Sequence, residues 1–280
     1  MTFSIVAHDP GSGSLGVAVA SKFLAVGHVV PWGAAGVGAL AVQATTDMSY
    51  GPLGLALLGR GRSAQATLSA LLAPDPLADE RQVGVVEAAG GAASYTGSGC
   101  LPWCGGLAED GLAVQGNILA GPGVVEAMRR AYRASTRERF SERLLEALVA
   151  GDRAGGDRRG RQSAALRVWR AGASYGGTLD IAVDLRVDDH RDPLGELARL
   201  EQLHALYFGH PDPDTLLPLA GELRQELTAL LRAVGRDPGG EGGLEAALAD
   251  WVSTENYEER HVAGAIDPLV LEQLRRQAGA

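Results

Sequence analysis

The stretch Met1-Thr2-Phe3-Ser4-Ile5-Val6-Ala7-His8-Asp9 decides how the chain is read. From Phe3 to His8 the residues alternate by side. Phe3, Ile5 and Ala7 fall on one face and Thr2, Ser4, Val6 and His8 on the other, which is the two-residue period of a strand. Asp9-Pro10-Gly11-Ser12-Gly13 then has the composition of a turn, and Ser14 to Ser21 resumes the alternation, with Leu15, Val17 and Val19 opposed to Gly16, Ala18 and Ala20. The pattern is a hairpin with one nearly smooth Gly/Ala face, against which another layer can pack closely or a ligand can approach the backbone.

The same stretch carries a chemical expectation. If Met1 is removed, Thr2 becomes the first residue, and its hydroxyl and its new α-amine form a nucleophile and a base on one carbon skeleton. An α-amine with an ordinary pKa of about 7.7–8.0 keeps a useful neutral fraction near pH 7. Ser4 points to the same side as Thr2. His8 does too, but it lies roughly 20 Å away along an extended strand and is too distant to serve as its base. Lys22, at the end of the second strand, can return toward Thr2 across the hairpin, where a cation would lower the amine's pKa.

With 280 residues and 46% hydrophobic content, the chain has ample material for a buried core. A formal net charge of -9 argues against a general nucleic-acid surface, which needs clustered cations. Cys100 and Cys104 are the only cysteines, which excludes a disulfide framework and leaves a Cys-x-x-x-Cys pair without the second ligand pair of a structural zinc site. No cofactor is called for. Residues 2–9 alternate and carry no leading positive charge, so no secretory signal is read and the expected location is the cytoplasm. Phe23 to Thr46 contains no charged residue, yet Pro31, His28, Gln43 and four glycines make it buried strand and loop rather than a membrane span.

Further strands are expected over 38–44, 82–87, 92–96, 112–118, 163–170 and 178–187, and helices over 53–58, 63–72, 123–134 and 137–150. Strands, helices, strands, helices, strands is the order expected when two antiparallel sheets pack face to face with helices outside each, an α+β fold of the four-layer αββα sandwich type. A helix over 194–208 leads to the turn-rich Gly209-His210-Pro211-Asp212-Pro213-Asp214, after which helices are expected at 215–234, 243–251 and 268–277. Residues 1–210 are therefore assigned to the sandwich and 211–280 to a small helical module. That module carries 13 acidic residues against 6 arginines from Pro211 to Ala280.

Three further stretches can carry chemistry. Gly155-Gly156-Asp157-Arg158-Arg159-Gly160-Arg161-Gln162 fails as a phosphate loop, because Arg161 and Gln162 stand where Lys and Ser/Thr are needed and a helix precedes it. It can instead fork arginines, notably Arg159 and Arg161, onto a carboxylate, with Asp157 or Asp152 holding them and Gln162 at the edge of the next strand. Gln115-Gly116-Asn117 ends a strand before a turn into a helix, so Asn117 can offer an amide donor to an oxyanion. The third stretch, Asp188-Asp189-His190, has metal-ligating types, but two adjacent aspartates on a strand cannot face one site, and turn and capping roles fit better.

Taken with Met1-Thr2-Phe3-Ser4-Ile5-Val6-Ala7, residues 32–43, Ser49-Tyr50-Gly51-Pro52, Gln115-Gly116-Asn117 and Gly155 to Leu166, residues 1 to about 200 resemble an uncharacterised prokaryotic family grouped with the N-terminal nucleophile hydrolases. The last 65 or so resemble a peptidoglycan-binding-like module that often follows it. The resemblance implies an αββα fold and amide-bond hydrolysis by the first residue of the mature chain, and only Thr2 maps onto that shared pattern. The expectation is thus an amidohydrolase acting on a small-molecule amide, with Thr2 and Asn117 catalytic and with Ser4, Lys22, Asp157, Arg159, Arg161 and Gln162 around the substrate. Two alternatives stand beside it. One is a non-catalytic protein that binds a small acidic metabolite on a hydrolase-like scaffold, and the other is an assembly protein that forms homo-oligomers through its C-terminal helices.

Overall fold

The computed structural model describes residues 2–239 and 243–280, so Met1, on which the processing expectation turns, lies outside the described residues. The chain divides into two compact units, Met1–Glu201 and Gln202–Ala280.

In the first unit the elements run β1 (Thr2–Asp9), β2 (Ser14–Ser21), α1 (Val26–Val29), β3 (Pro31–Ala34), β4 (Gly38–Ala44), α2 (Tyr50–Leu58), α3 (Ala64–Leu72), β5 (Arg81–Glu87), β6 (Ala92–Thr96), β7 (Gly105–Glu109), β8 (Leu112–Asn117), α4 (Gly123–Ala134), α5 (Phe140–Arg153), β9 (Ser163–Trp169), β10 (Ile181–Val187) and the start of α6 (Pro193–Phe208). They form a six-stranded sheet in the order β10-β9-β2-β1-β8-β7 and a four-stranded sheet in the order β3-β4-β5-β6. Every strand pairing is antiparallel. The architecture is mixed α/β with antiparallel sheets, followed by a helical C-terminal region.

The alternation in β1 places its two faces in two different cores. Phe3, Ile5 and Ala7 pack with Val124 and Met128 of α4 and with Leu144 and Leu148 of α5. Val6, together with Val17 and Val19 of β2, meets Ala39, Ala41 and Val86 of the smaller sheet. On that sheet's other face, Leu40, Val42, Val83 and Val85 pack with Leu58 of α2 and with Leu68 and Leu71 of α3. The smooth face of β2 is taken by a helix: a Cβ on Gly16 would stand 2.5 Å from Leu144 Cδ1 and 2.8 Å from a Phe140 ring carbon. At this position the absent side chain serves close packing rather than a ligand.

β3 and β7 go beyond the strands expected from sequence. β3 opens on a proline and is an edge strand, and Gly105-Gly106 weakens the signal of β7, also at an edge. α2 begins at Tyr50 rather than Leu53, because the first turn of a helix has no intrahelical acceptors for its N–H groups and so accepts Gly51-Pro52.

The second unit contains the end of α6, α7 (Gly221–Ala233), α8 (Gly243–Thr254) and α9 (Pro268–Ala278), with a two-stranded ribbon of β11 (Leu217–Pro218) and β12 (Ala265–Ile266). Leu227, Leu231, Leu248, Trp251, Leu271 and Leu274 form its core. Where sequence suggests a helix from Thr215, the chain first pairs as β11 and turns through Gly221, whose φ of 57° suits glycine. Arg260 donates to the carbonyls of Ala205 (2.6 Å) and Leu206 (2.8 Å) and to Asp267 Oδ2 (2.6 Å). The other Asp267 oxygen accepts the Leu269 N–H and so caps α9. No helix among the described residues is long and apolar enough to cross a membrane.

Candidate functional site

Strand register gathers the polar residues at one end of the larger sheet. β1 pairs with β2 so that Thr2 faces Ser21, β1 pairs with β8 so that Thr2 faces Asn117, and β2 pairs with β9 so that Ser21 faces Ser163. A single row, Ser163-Ser21-Thr2-Asn117, therefore crosses the four central strands, and all four residues are buried. By alternation the row shares its face with Val19, Ala113 and Ala165, which belong to the core between the two sheets. One step inward on the same face are Ser4 and Gln115, and opposite them the smaller sheet presents Gln43, Gln82 and Thr96. The layer between the sheets is thus valine and alanine at one end and hydroxyl and amide at the other.

A connected hydrogen-bond network fills the polar end. Gln115 Nε2 donates to Ser4 Oγ (2.7 Å), Ser4 Oγ donates to Gln43 Oε1 (2.8 Å), and Gln43 Nε2 donates to Gln82 Oε1 (2.8 Å). Asn117 Nδ2 donates to the same Gln82 oxygen at 2.8 Å, while Gln82 Nε2 donates to Thr96 Oγ1 (2.9 Å) and to the Gly116 carbonyl (2.8 Å). Gln82 is the hub, its oxygen accepting twice and its nitrogen donating across both sheets. Thr2 stands beside this network rather than inside it: its Oγ1 lies 3.2 Å from Ser21 Oγ, and its carbonyl accepts from Gln43 Nε2 at 3.4 Å. Gln115 Oε1 is buried without a hydrogen-bond partner.

The backbone around this row is strained. Among the described residues, four non-glycine residues have positive φ, and three of them follow the polar ends of strands: Ala25 (52°) after β2, Ala44 (70°) next to Gln43, and Ile118 (49°) next to Asn117. A β-branched residue in this region is held there only by its surroundings. The Ile118 N–H donates to the Leu101 carbonyl at 2.9 Å, and its own carbonyl accepts from the Arg158 N–H. Strand ends locked in this way occur where side chains must be aimed, as at binding and catalytic sites.

The structure brings some of the expected site residues together and turns others aside. Thr2, Ser4 and Asn117 share one face, but Ser4 is enclosed by Gln43 and Gln115, and Asn117 places one amide proton on Gln82. Lys22 follows Ser21 directly; its side chain is exposed and forms no ion pair among the described residues. Asp157 is buried, with Oδ2 accepting the Lys22 backbone N–H at 2.7 Å and Oδ1 the Arg159 N–H at 2.8 Å. The Arg159 guanidinium reaches Asp157 at 3.4 Å. Arg161 forks onto both oxygens of Asp152 at 2.8 and 2.7 Å, which raises its pKa, so its guanidinium is already engaged. Gln162 Nε2 donates to Asp189 (3.1 Å), and its backbone N–H donates to the Ser21 carbonyl (3.2 Å). Ser21, Asp157, Arg161 and Ser163 line a small cleft together with Phe3 and Leu194.

Sequence reasoning did not assign Ser21, Gln43, Gln82, Thr96 or Ser163 to the site. The signal was present in the strand period: Gln43 lies two and four residues beyond Ala41 and Ala39, and Gln82 lies two and four residues before Gly84 and Val86, so both amides fall on an otherwise apolar, inward face. Away from this end, Asp75 binds Tyr50 Oη (2.7 Å) and Arg81 Nε (2.7 Å). Cys100 and Cys104 are free thiols, and burial pushes the Cys100 pKa up.

Residues 2–197 match the model of a family described as "Family of unknown function (DUF1028)". Residues 207–274 match a second, described as "Putative peptidoglycan binding domain". Among solved structures, the chain is similar to a crystal structure of a DUF1028 protein from Silicibacter pomeroyi. The two share 33% identity over 73% of this chain and 86% of that one, with a TM-score of 0.67. No curated protein matches the chain.

Proposed function

The chain belongs to the DUF1028 family of unknown function, and from that premise and the polar row beneath its first strand we propose that it is an amidohydrolase in which Thr2, freed by removal of Met1, is the nucleophile. The observation that carries the reading is Thr2's place: first in a central strand, flanked in register by Ser21 and Asn117, with its hydroxyl 3.2 Å from that of Ser21. Packing supports the same reading. Helices α4 and α5 pack on the six-stranded sheet, that sheet on the four-stranded one, and the latter on α2 and α3, an order compatible with the αββα sandwich that the N-terminal nucleophile reading expects.

In this mechanism the neutral α-amine of Thr2 takes the hydroxyl proton as Oγ1 bonds to the substrate carbonyl carbon. The second amide proton of Asn117, the one not given to Gln82, stabilises the oxyanion. As the C–N bond breaks, the ammonium returns its proton to the leaving amine, leaving an ester on Thr2. Water, deprotonated by the same amine, cleaves the ester, releasing a carboxylic acid and restoring the hydroxyl. Lys22, exposed one residue beyond Ser21, supplies the charge for a substrate carboxylate, a role Arg161 fills only by giving up Asp152.

Intact-mass analysis combined with hydrolysis of a panel of N-acyl amino acids tests this. The expected result is a wild-type chain that begins at Thr2 and releases free amino acid, and a Thr2→Ala variant that does not. Undiminished turnover in Thr2→Ala, or turnover by protein that retains Met1, refutes it. Lys22 and Arg153, exposed and adjacent in sequence to the cleft-lining Ser21 and Asp152, favour one second reading, capture of an anionic metabolite without turnover. A ligand that raises the melting temperature equally in wild type and Thr2→Ala, with no product formed, would support that reading instead.

A further inference from the structure

The loop after α5 is bound on both sides to the strand ends that flank Thr2. Toward β8, Asp157 forms a bridge with Leu119, the Ala120 N–H donates to the Gly156 carbonyl (3.2 Å), and the Arg158 N–H donates to the Ile118 carbonyl (3.4 Å). Toward β2, the Gln162 N–H reaches the Ser21 carbonyl, and the Asp157 carboxylate takes the Lys22 N–H at 2.7 Å. Gly155, Gly156 and Gly160, at φ 116°, 47° and 109°, let the loop reverse tightly enough to touch both ends.

Asp157 is the joint of this arrangement. Its side chain is 2% exposed, and its two oxygens accept N–H groups from two different segments, Lys22 on Oδ2 and Arg159 on Oδ1. A carboxylate so occupied has little capacity left for a substrate. The bonds it makes instead fix the peptide that follows Ser21, the residue whose hydroxyl stands against that of Thr2. The same loop supplies one of the two bonds that hold Ile118 in its strained conformation beside Asn117. Only a residue with two acceptor oxygens fits, because asparagine would turn an NH2 group toward one of the two N–H donors.

We propose that Asp157 is a positioning residue that clamps the strand ends on both sides of Thr2, rather than a residue that holds substrate; its catalytic consequence rests on the reading of Thr2 as nucleophile. The clamp itself is tested by hydrogen exchange of the full-length protein, which does not depend on that reading. Loss of a charge-assisted bond in Asp157→Ala is expected to speed exchange at the Lys22 amide and across residues 118–120 by about tenfold or more, with a smaller change in the same direction in Asp157→Asn. Asp152→Ala, which releases the Arg161 fork, is expected to leave the Lys22 amide as in wild type. Wild-type exchange at Lys22 in both Asp157 variants overturns the clamp, and the Asn variant decides the matter if the Ala variant does not fold. The catalytic consequence is read with p-nitrophenyl acetate as acylating probe, the acyl group being located by peptide mapping. The maximal rate of Thr2 acylation is expected to fall about tenfold in Asp157→Asn with the half-saturating ester concentration within about twofold of wild type. A raised half-saturating concentration at an unchanged maximal rate overturns the positioning role in favour of substrate binding. If wild-type Thr2 takes no acyl group, the nucleophile reading fails, and exchange alone decides the clamp.

Discussion

Replacing Gln82 with leucine strikes the hub of the inter-sheet network. The substitution keeps an unbranched start to the side chain and a similar length, but removes an oxygen that accepts from Gln43 Nε2 and Asn117 Nδ2, both at 2.8 Å. Gln43 and Asn117 are 1% and 2% exposed, so water cannot replace the lost acceptor without opening the sheets. Each buried donor left unsatisfied costs about 1–3 kcal/mol, so Gln82→Leu is expected to destabilise the first unit by about 2–6 kcal/mol. For a unit near 200 residues this lowers the melting midpoint by about 4–24 °C. Differential scanning calorimetry of wild type, Gln82→Leu, Gln43→Leu and the double variant measures it. The double variant is expected to be less destabilised than the sum of the singles, because both remove the same bond. A Gln82→Leu protein within about 0.5 kcal/mol of wild type, with additive singles, would refute the claim that this network holds the sheets together.

Gly84 gives Gln115 its room, since a Cβ there would lie 2.2 Å from Gln115 Oε1. Gly84→Ala is therefore expected to cost about 1–3 kcal/mol in thermal unfolding, by displacing an amide that bridges to Ser4. Hydrogen bonds from Arg81 and then Tyr50 hold the Asp75 carboxyl well below the usual carboxylate range. Its contribution to stability is present above the unfolded pKa of about 4 and is lost as pH falls below it, so the acid limb of the stability curve should flatten in Asp75→Asn, as followed by urea unfolding between pH 2 and pH 7. Burial, followed by the bond to Asp75, pushes the Tyr50 pKa up, so stability should also decline as pH rises past about 10, and this decline should shrink in Tyr50→Phe. In the second unit, Arg260→Met leaves Asp267 buried without its cation and removes the donor to two α6 carbonyls. A loss of about 3–5 kcal/mol is expected, seen as proteolysis confined to residues 202–280.

Much of the first unit was legible because its central strands alternate strictly between two faces, even though both faces are buried, each in a different core. Phe3, Ile5 and Ala7 against Thr2, Ser4 and Val6 could be separated by parity alone, and Asp9-Pro10-Gly11-Ser12-Gly13 supplied the reversal. β3 and β7 were not legible, because Pro31 and Gly105-Gly106 remove the donor or the side chain on which such a reading depends. At the site, Thr2 stood out as the residue that removal of Met1 would make first and Asn117 by its place before a helix-entry turn, whereas Gln43 and Gln82 read as ordinary polar residues near the ends of apolar strands. Their meaning is a tertiary one, because an inward glutamine is informative only when its partner on the facing sheet is known. The same limit applies to Asp157. In sequence it is one of several charges in a loop, and only the fold shows both of its oxygens committed to backbone N–H groups.

The central claim, that Thr2 acts through its own amine, is tested most directly by the mass of the intact protein followed by mapping of its N-terminal peptide after mild periodate. Periodate cleaves an amine and a hydroxyl on adjacent carbons, the arrangement that exists at Thr2 only when its amine is free. The account predicts a chain lighter than the full sequence by one methionine, whose Thr2 is converted to a glyoxylyl group. A full-length mass, with Met1 in place and Thr2 untouched by periodate, would contradict it.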